Sequence, residues 1–436
     1  MEDWKTSPPT NGRLHRRTLL KGLGLAAAAP ALAACSGGSP AGSDTLTMMY
    51  MGDATQQKAF KALFAEYKKV NPNVQLQAQG IPSNNWAAFS NTVATRIAGG
   101  QVPDVIQIAT EGQRLFASKG LLEPLDPFIA KDQKVVDDYF ADIDPNLKRW
   151  NTEYGSPDGK TYYMPGGYNT MVLYVSKDIF EKAGVDLPSK SWTWDEFRAA
   201  GEQIKAKTGA FLLPAGSGYF IDVMPWLTTN GTSTFNDDWS TPTFADPACV
   251  EAAEFVRGLV EDGLAPKPGG TYDAPSQMKQ GKLATLGGGR WPTLNMRELG
   301  LVDRVQIMSW PTNATEGSPV GWDAWPITKA SENKEAAWDF IKFLISKDAG
   351  RYFAEAGGTI VPARNSVAES SSFLDNAPAG SELISEAISY ATPIPSPDRG
   401  AECQKVIEEA WLKIISGNGA ASDVLSAADE QLTQLV

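Results

Sequence analysis

The residues with the clearest chemical potential are aromatic side chains that lie in polar, glycine-rich segments. Three such segments are Gly218-Tyr219-Phe220, Gly289-Arg290-Trp291-Pro292 and Gly321-Trp322-Asp323. Aromatic rings on loops can serve as flat stacking platforms. A sugar has an apolar C–H face and a rim of hydroxyl groups, so it suits an aromatic plane with amides or carboxylates beside it. For any single residue, the alternative is an aromatic side chain that only anchors its loop.

The histidine and carboxylate content limits the kinds of catalytic and metal-binding site that the chain can contain. The only histidine in the sequence, His15, lies in a segment that we expect to be removed. This excludes Ser-His-Asp and Cys-His catalysis and the common zinc sites from the mature chain. A glycoside hydrolase would need two carboxylates roughly 5–9 Å apart, for which Asp53 and Glu111 are candidates. Because no nucleophile motif accompanies them, we expect no catalytic residues, metal or cofactor.

Residues 1–34 have the organisation of an export signal. A basic pair, Arg16-Arg17, precedes an apolar stretch at 23–34 that is shorter than the ~20 residues needed to span a bilayer. The arginine pair is typical of a twin-arginine signal, and Leu32-Ala33-Ala34-Cys35 resembles a bacterial lipobox. We therefore expect a lipid on Cys35 and a flexible tether over residues 35–43. The alternative is an ordinary secretory signal with an unrelated cysteine.

The charge and cysteine content limit the possible partners of the chain and indicate its cellular compartment. The 436-residue chain has a net charge of −12, and this unpatterned acidity argues against a nucleic-acid partner. The length remaining after residue 34 is sufficient for two domains with separate cores. Outside the cytoplasm, Cys249 and Cys403 either pair or remain buried thiols, and the sequence leaves both open.

Alternating strands and helices occupy the first part of the mature chain. The apolar periodicity predicts strands at 46–51, 74–78 and 105–108 and helices at 56–70 and 86–98. This is the rhythm of a doubly wound α/β sheet, in which ligands bind beyond the carboxyl ends of the strands. Asp53 and Glu111 follow two of those ends. Further elements are predicted as strands at 171–175 and 284–286 and helices at 194–206, 247–258, 334–346, 402–416 and 421–435.

A series of short motifs runs through nearly the whole mature chain. The segments that carry it are 64–74, 99–105 (Gly-Gly-Gln-Val-Pro-Asp-Val), 120–125, 158–165, 173–178, 192–197 (Trp-Thr-Trp-Asp-Glu-Phe), 281–291 and 331–338. In this order and spacing they resemble the extracellular solute-binding proteins of carbohydrate ABC importers, the group that contains maltodextrin-binding protein. The resemblance implies a two-lobe α/β fold with a hinged cleft, each lobe a sheet flanked by helices. Lobe one would comprise 44–166 and 322–373, and lobe two 167–321 and 374–436.

The resemblance also implies candidate ligand contacts, one position at a time. Asp53 and Glu111 match acids that bind sugar hydroxyls, and Trp291 matches the main stacking tryptophan. The relatives often have a glutamate where this chain has Asn169, so that residue departs from the family pattern. The remaining positions that match the family's cleft are Tyr168, Tyr219, Trp226, Trp322, Asp323 and Arg399.

The expected function is therefore capture of a carbohydrate outside the membrane and delivery to the transmembrane subunits of an ABC importer. The lipid would hold the chain at the membrane, and we expect a monomer. Two alternatives remain at this point: a binding protein for a peptide or polyamine, and a secreted carboxylate-dependent glycoside hydrolase.

Overall fold

The computed structural model describes residues 45–52, 54–83, 85–188, 191–269 and 272–436. The expected signal, the tether with Cys35, and Asp53 lie outside these residues. Within the described residues, no helix is both long and apolar enough to cross a membrane.

Strands are distributed along the whole described chain. They are β1 (Thr45–Met51), β2 (Gln75–Ile81), β3 (Val105–Ile106), β4 (Ile108–Ala109), β5 (Leu122–Glu123), β6 (Met164–Thr170), β7 (Val172–Ser176), β8 (Thr285–Gly288), β9 (Val305–Ser309), β10 (Ser318–Trp325), β11 (Ile327–Thr328), β12 (Val361–Pro362) and β13 (Ala391–Pro393).

Helices fill most of the intervals between strands. They are α1 (Ala54–Val70), α2 (Trp86–Ala98), α3 (Thr110–Ser118), α4 (Asp126–Lys131), α5 (Gln133–Ala141), α6 (Pro145–Glu153), α7 (Lys177–Ala183), α8 (Trp194–Thr208), α9 (Met224–Thr229), α10 (Pro247–Glu261), α11 (Ala274–Lys279), α12 (Pro292–Leu299), α13 (Lys334–Leu344), α14 (Lys347–Glu355), α15 (Asn365–Ala368), α16 (Ser371–Leu374), α17 (Leu383–Glu386), α18 (Gly400–Ile415) and α19 (Ala421–Thr433). A π-helical turn at Tyr219–Val223 and 3₁₀ turns at Val302–Arg304 and Ala387–Tyr390 complete the set.

The first sheet has the strand order β2-β1-β3-β11-β5, with β1 parallel to both β2 and β3. Helix α1 covers it with the apolar face that the sequence predicts: Phe60, Leu63 and Tyr67 are each at most 3% exposed. The ring of Tyr67 packs 4.7 Å from that of Phe340 on α13. Burial of each such side chain is worth about 1.5–3 kcal/mol, which fixes the helices against this sheet.

A second sheet contains the strands through which the chain passes between the other two sheets. Its order is β12-β6-β10-β13, with β4 paired to β10. Strands β6 and β10 are antiparallel, and their register shifts between Asp323 and Ala324. Only Met171 separates β6 from β7, which belongs to the third sheet.

The third sheet is antiparallel, with the order β8-β7-β9. Helix α8 begins beside it with a capping box, in which Thr193 and Glu196 satisfy each other's backbone N–H groups. A core rich in tryptophan lies on this side, where Trp226 contacts Trp194 and Trp310 edge-on at 5.7 and 5.2 Å. With its flanking helices this sheet forms the second lobe of a two-lobe α/β fold, as expected.

Two expected elements are divided in the structure. The strand expected at 105–108 breaks at Gln107, because β3 pairs in the first sheet and β4 in the second. The helix expected at 334–346 ends at Leu344, and Ser346 caps a new helix, α14, by accepting a hydrogen bond from the Ala349 N–H. Cys249 and Cys403 are both free and buried.

Candidate ligand-binding site

A cavity of about 570 Å³ lies where the carboxyl end of β1 meets the crossing strands β6 and β10. Its walls also include the start of α2, the junction of β4 and α3, the π-helical turn, and parts of α12, α14 and α18. This volume lies within the range of about 300–1,000 Å³ that is typical of small-molecule sites. The predicted residues that line it are Glu111, Asn169, Tyr219, Trp291, Trp322 and Asp323.

The partly exposed aromatic residues that line the cavity are Trp86, Phe220, Trp291 and Phe353, and the first three lie at helix starts or turns. Trp291 immediately precedes α12, whose first residue is Pro292, and its ring centroid lies 6.3 Å from that of Phe220. Trp86 begins α2, which Asn85 caps through a hydrogen bond from the Ala88 N–H. Trp86, Phe220 and Trp291 therefore stand at helix starts or turns with part of each ring available for stacking.

Trp322 also lines the cavity but is only 1% exposed. Its ring stacks on that of Trp150, with centroids 6.2 Å apart and planes inclined by 25°. It therefore forms a packed floor in the crossing strands rather than an open platform.

Asn169 connects three segments around the cavity. Its Oδ1 accepts a hydrogen bond from the Arg290 N–H at 2.8 Å, and its Nδ2 donates to the Thr359 carbonyl at 3.1 Å. A Cβ added at Gly289 would lie only 2.6–2.7 Å from the Asn169 side chain. The glycine therefore lets the loop that carries Trp291 approach β6, and Asn169 holds it there.

Glu111 lies in the first turn of α3 and faces the cavity. Burial in the protein raises the pKa of its carboxyl to about 7, although a helix N-terminus normally favours the ionised form. No hydrogen bond or ion pair joins this carboxylate to another side chain among the described residues. The carboxylate therefore keeps the capacity to accept hydrogen bonds from a ligand in the cavity.

Asp323 lies on β10 and is 2% exposed. Its Oδ2 accepts a hydrogen bond from Gln107 Nε2, whose position depends on the break between β3 and β4. Burial raises the pKa of Asp323 to about 7. Its Oδ1 has no hydrogen-bond partner in good geometry within the described part of the chain, so the residue can accept a further donor.

Helix α18 and the π-helical turn supply another acidic wall. Glu408 Oε1 accepts hydrogen bonds from the Tyr219 N–H at 3.0 Å and from Gln404 Nε2 at 2.7 Å. Behind it, Asp222 accepts from the Gly218 N–H at 2.9 Å. Burial, and then the charge of Glu408, raise the pKa of Asp222 to about 7. Single-turn π-helices often occur at functional sites, and this one turns Phe220 into the cavity.

Several residues predicted from the family resemblance lie elsewhere. Trp226 is 1% exposed and packed among tryptophans of the second lobe, and Tyr168 is equally buried in β6. Arg399 is on the surface, where its guanidinium pairs with Glu402. Tyr219 contributes backbone to the cavity wall, but its ring is buried and its hydroxyl contacts Thr234. Tyr168, Trp226 and Arg399 therefore do not belong to the candidate site, and Asp53 lies outside the described residues.

Other cavity residues were not predicted from the sequence. The ones with polar or aromatic side chains include Trp86, Gln107, Asn295, Glu298 and Glu408. Trp86 had a usable signal, since it begins a helix just beyond the carboxyl end of a predicted strand. Glu298 and Glu408 sit on amphipathic helices, where acidic residues ordinarily face solvent, and no local pattern distinguishes them.

Comparison with known proteins gives consistent results. The sequence profile of bacterial extracellular solute-binding proteins matches residues 52–351. A binding protein from Brucella abortus (strain 2308) is 28% identical over 385 residues, covering 84% of this chain and 87% of that protein. The lactose-binding protein of Rhizobium radiobacter is 26% identical over 281 residues, covering 61% and 63% of the two chains.

One similar solved structure is the ABC substrate-binding protein from Listeria monocytogenes in complex with cycloalternan. It superposes with a TM-score of 0.78 at 23% identity, covering 90% of this chain and 98% of that one. At this identity the likeness establishes the two-lobe fold.

Proposed function

This chain belongs to the bacterial extracellular solute-binding proteins, and we propose that it captures a sugar or oligosaccharide for an ABC importer. The observation that supports this most directly is the composition of the cavity. The partly exposed rings of Trp291, Trp86 and Phe220 share it with the acceptor groups of Glu111 and Asp323. Flat apolar surfaces beside charged acceptors match the C–H faces and hydroxyl rim of a saccharide.

Relatives support the substrate class. The lactose-binding protein of Rhizobium radiobacter takes a sugar, and the Listeria protein holds cycloalternan. The family consists of binding proteins that work outside the cytoplasm, so this chain acts by capture and release rather than by turnover. We assign no catalytic role to Glu111 or Asp323.

The two-lobe architecture suggests how capture is completed. In our proposal, residues 44–166 and 322–373 form lobe one, and residues 167–321 and 374–436 form lobe two. Two of the three boundaries in this division, at 166/167 and 321/322, fall inside the crossing strands β6 and β10, and the third, at 373/374, falls inside α16. The cavity is lined from both sets of residues. Hinge closure around the ligand would bury the saccharide and create the surface that the transmembrane subunits recognise.

The N-terminal segment supplies the location in this proposal. A signal over residues 1–34 would direct export, and lipid on Cys35 would retain the protein at the outer surface of the membrane. Residues 35–43 would then act as a flexible tether for a monomeric binding protein.

A thermal-shift panel of mono- and oligosaccharides at millimolar concentration tests the proposed function. A ligand that binds only the folded state stabilises it by RT ln(1 + [L]/Kd), about 2.7 kcal/mol at a hundredfold excess over Kd. We expect at least one saccharide to raise Tm and to change tryptophan fluorescence, because Trp291 and Trp86 line the cavity. A panel in which peptides or polyamines stabilise the protein and no saccharide does would overturn the proposal.

A further inference from the structure

The charges that line the cavity are all of one sign. Among the described lining residues, four are carboxylates, Glu111, Glu298, Asp323 and Glu408, and none is lysine, arginine or histidine. Arg290, which precedes Trp291 in the chain, is not among the lining residues. Arg290 donates to the Phe373 carbonyl and packs 4.1 Å from the Phe373 ring.

Asp323 is enclosed and Glu111 is partly buried, and neither carboxylate has a compensating cation among the described residues. Asp323 is 2% exposed, its donors are the neutral Gln107 side chain and backbone N–H groups, and its Oδ1 has no hydrogen-bond partner in good geometry among the described residues. Within the described residues, none of the four carboxylates forms an ion pair. The raised pKa values of Glu111 and Asp323 have burial as their largest cause. Enclosing negative charge in this way is costly unless a positive charge arrives with the ligand.

A neutral sugar offers hydroxyl donors but no charge. An ammonium group replaces a hydroxyl at similar size, presents three N–H donors and attracts every carboxylate around it. We propose that the cavity selects saccharides that carry a basic nitrogen over their neutral counterparts and discriminates against uronates. This inference rests on the proposed sugar-binding function and specifies its substrate class.

The experiment compares matched ligands by isothermal titration calorimetry on the full mature chain. The neutral saccharide with the largest thermal shift is measured against its amino-deoxy analogues, their N-acetyl derivatives and the corresponding uronate. For a β-1,4-linked glucose pair, these probes are cellobiose, chitosan disaccharide, diacetylchitobiose and cellobiuronic acid. We expect at least one amino analogue to bind about tenfold or more tighter than the neutral parent, equivalent to about 1.4 kcal/mol. We expect N-acetylation to abolish the gain and the uronate to bind most weakly.

Carboxylate variants connect the preference to the cavity. Glu298→Gln and Glu408→Gln remove one charge each and retain an amide oxygen that can accept a hydrogen bond. In each variant, the Kd of the neutral saccharide divided by the Kd of its amino analogue should fall severalfold. Glu409→Gln is the matched control: it neighbours Glu408 on α18, but its side chain is 68% exposed and lies 3.8 Å from Lys405. Its ratio should equal that of the unmodified protein.

The outcomes separate this inference from the proposed function. If the neutral saccharide binds and every amino analogue binds equally or more weakly, the charge preference is wrong and sugar capture stands. If Glu409→Gln lowers the ratio as much as Glu408→Gln does, the preference does not arise in the cavity. If no saccharide binds in either form, both proposals fail.

Discussion

At the scale of single residues, Trp291 is the side chain whose removal should affect ligand binding most directly. Its ring is partly exposed to the cavity, and its backbone follows the Arg290 N–H that Asn169 holds. We expect Trp291→Ala to weaken saccharide binding by about 1–2 kcal/mol, roughly 5- to 30-fold, with little change in Tm. Titration calorimetry checks this, and Trp291→Phe should retain part of the affinity. Unchanged affinity with a lowered Tm would assign the ring to packing instead.

Glu111 provides a prediction about pH. Its folded-state pKa of about 7 lies above the ordinary value of 4.5, so the folded chain binds more protons than the unfolded chain between these values. Stability contributed by this group is complete below pH 4.5 and is lost as the pH rises through 7. Replacing Glu111 by Gln removes the cost of ionising a buried carboxyl.

We therefore expect Glu111→Gln to stabilise the unliganded protein at pH 8 by on the order of 1 kcal/mol, allowing for the water that reaches this side chain. The gain should shrink towards pH 5. Urea unfolding at both pH values measures it, with the exposed Glu409→Gln as control. A gain of equal size at both pH values would show that the carboxyl ionises in the folded state as readily as in water.

The candidate residues show what local sequence can and cannot indicate. Trp291 and Asp323 were candidates because each stands in a short segment of glycine, aromatic and polar residues, although Asp323 lies on strand β10 rather than on a loop. Trp226 was predicted from the family resemblance alone, and it packs in a tryptophan-rich core, where it is 1% exposed. The difference depends on which distant helices cover the residue, and single-sequence patterns do not contain that information.

At the scale of elements, the loop between β8 and α12 determines where Trp291 stands. Gly289 lies against Asn169 so closely that a methyl group would meet it at 2.6–2.7 Å, inside van der Waals contact. We expect Gly289→Ala to push this loop away from β6, to weaken saccharide binding at least as much as Trp291→Ala does, and to cost about 1–3 kcal/mol of stability. Affinity and urea unfolding are measured together.

Gly300→Ala is the control for Gly289→Ala, because Gly300 is required for its backbone conformation and not for a close contact with another residue. It ends α12 with a φ of 67°, and no atom lies within 4 Å of an added Cβ. Gly300→Ala should lower the stability of the fold, because alanine is strained in the left-handed conformation. It should leave the affinity for saccharide unchanged. If Gly289→Ala also left affinity unchanged, the position of the loop would not control the stacking ring.

Element boundaries show the same limit of sequence reasoning. Helix α2 was predicted at 86–98 and occupies Trp86–Ala98, because a capping asparagine and terminal glycines mark both ends. The apolar run at 105–108 gave no sign that it would divide at Gln107. The division arises because β3, before Gln107, pairs with β1, whereas β4, after it, pairs with β10. That break places Gln107 beside Asp323, so this contact of the candidate site depends on a feature that the local sequence pattern does not show.

At the scale of the whole molecule, ordered motifs identified the family and hence the two-lobe fold more reliably than any element taken alone. The N-terminal segment adds a prediction about location. We expect cells that express the full chain to incorporate labelled palmitate into it and Cys35→Ser to abolish the label and release the protein into the soluble extracytoplasmic fraction. Labelling that persists in Cys35→Ser would mean that the lipid is attached elsewhere.

Residues of both proposed lobes line the cavity, and this leads to a prediction about how the shape of the protein changes when ligand binds. Glu111 and Trp86 come from one set of residues, and Trp291 and Glu408 from the other, so a saccharide that contacts both sets favours the conformation in which they approach. We expect saturating saccharide to reduce the radius of gyration measured by small-angle X-ray scattering, as hinge closure requires. Trp291→Ala at the same ligand concentration should show a smaller reduction, which returns to the full value when the ligand is raised in proportion to the weakened Kd. A radius of gyration that stays constant at saturation, with binding confirmed by calorimetry, would mean that the cavity accepts its ligand without movement of the lobes.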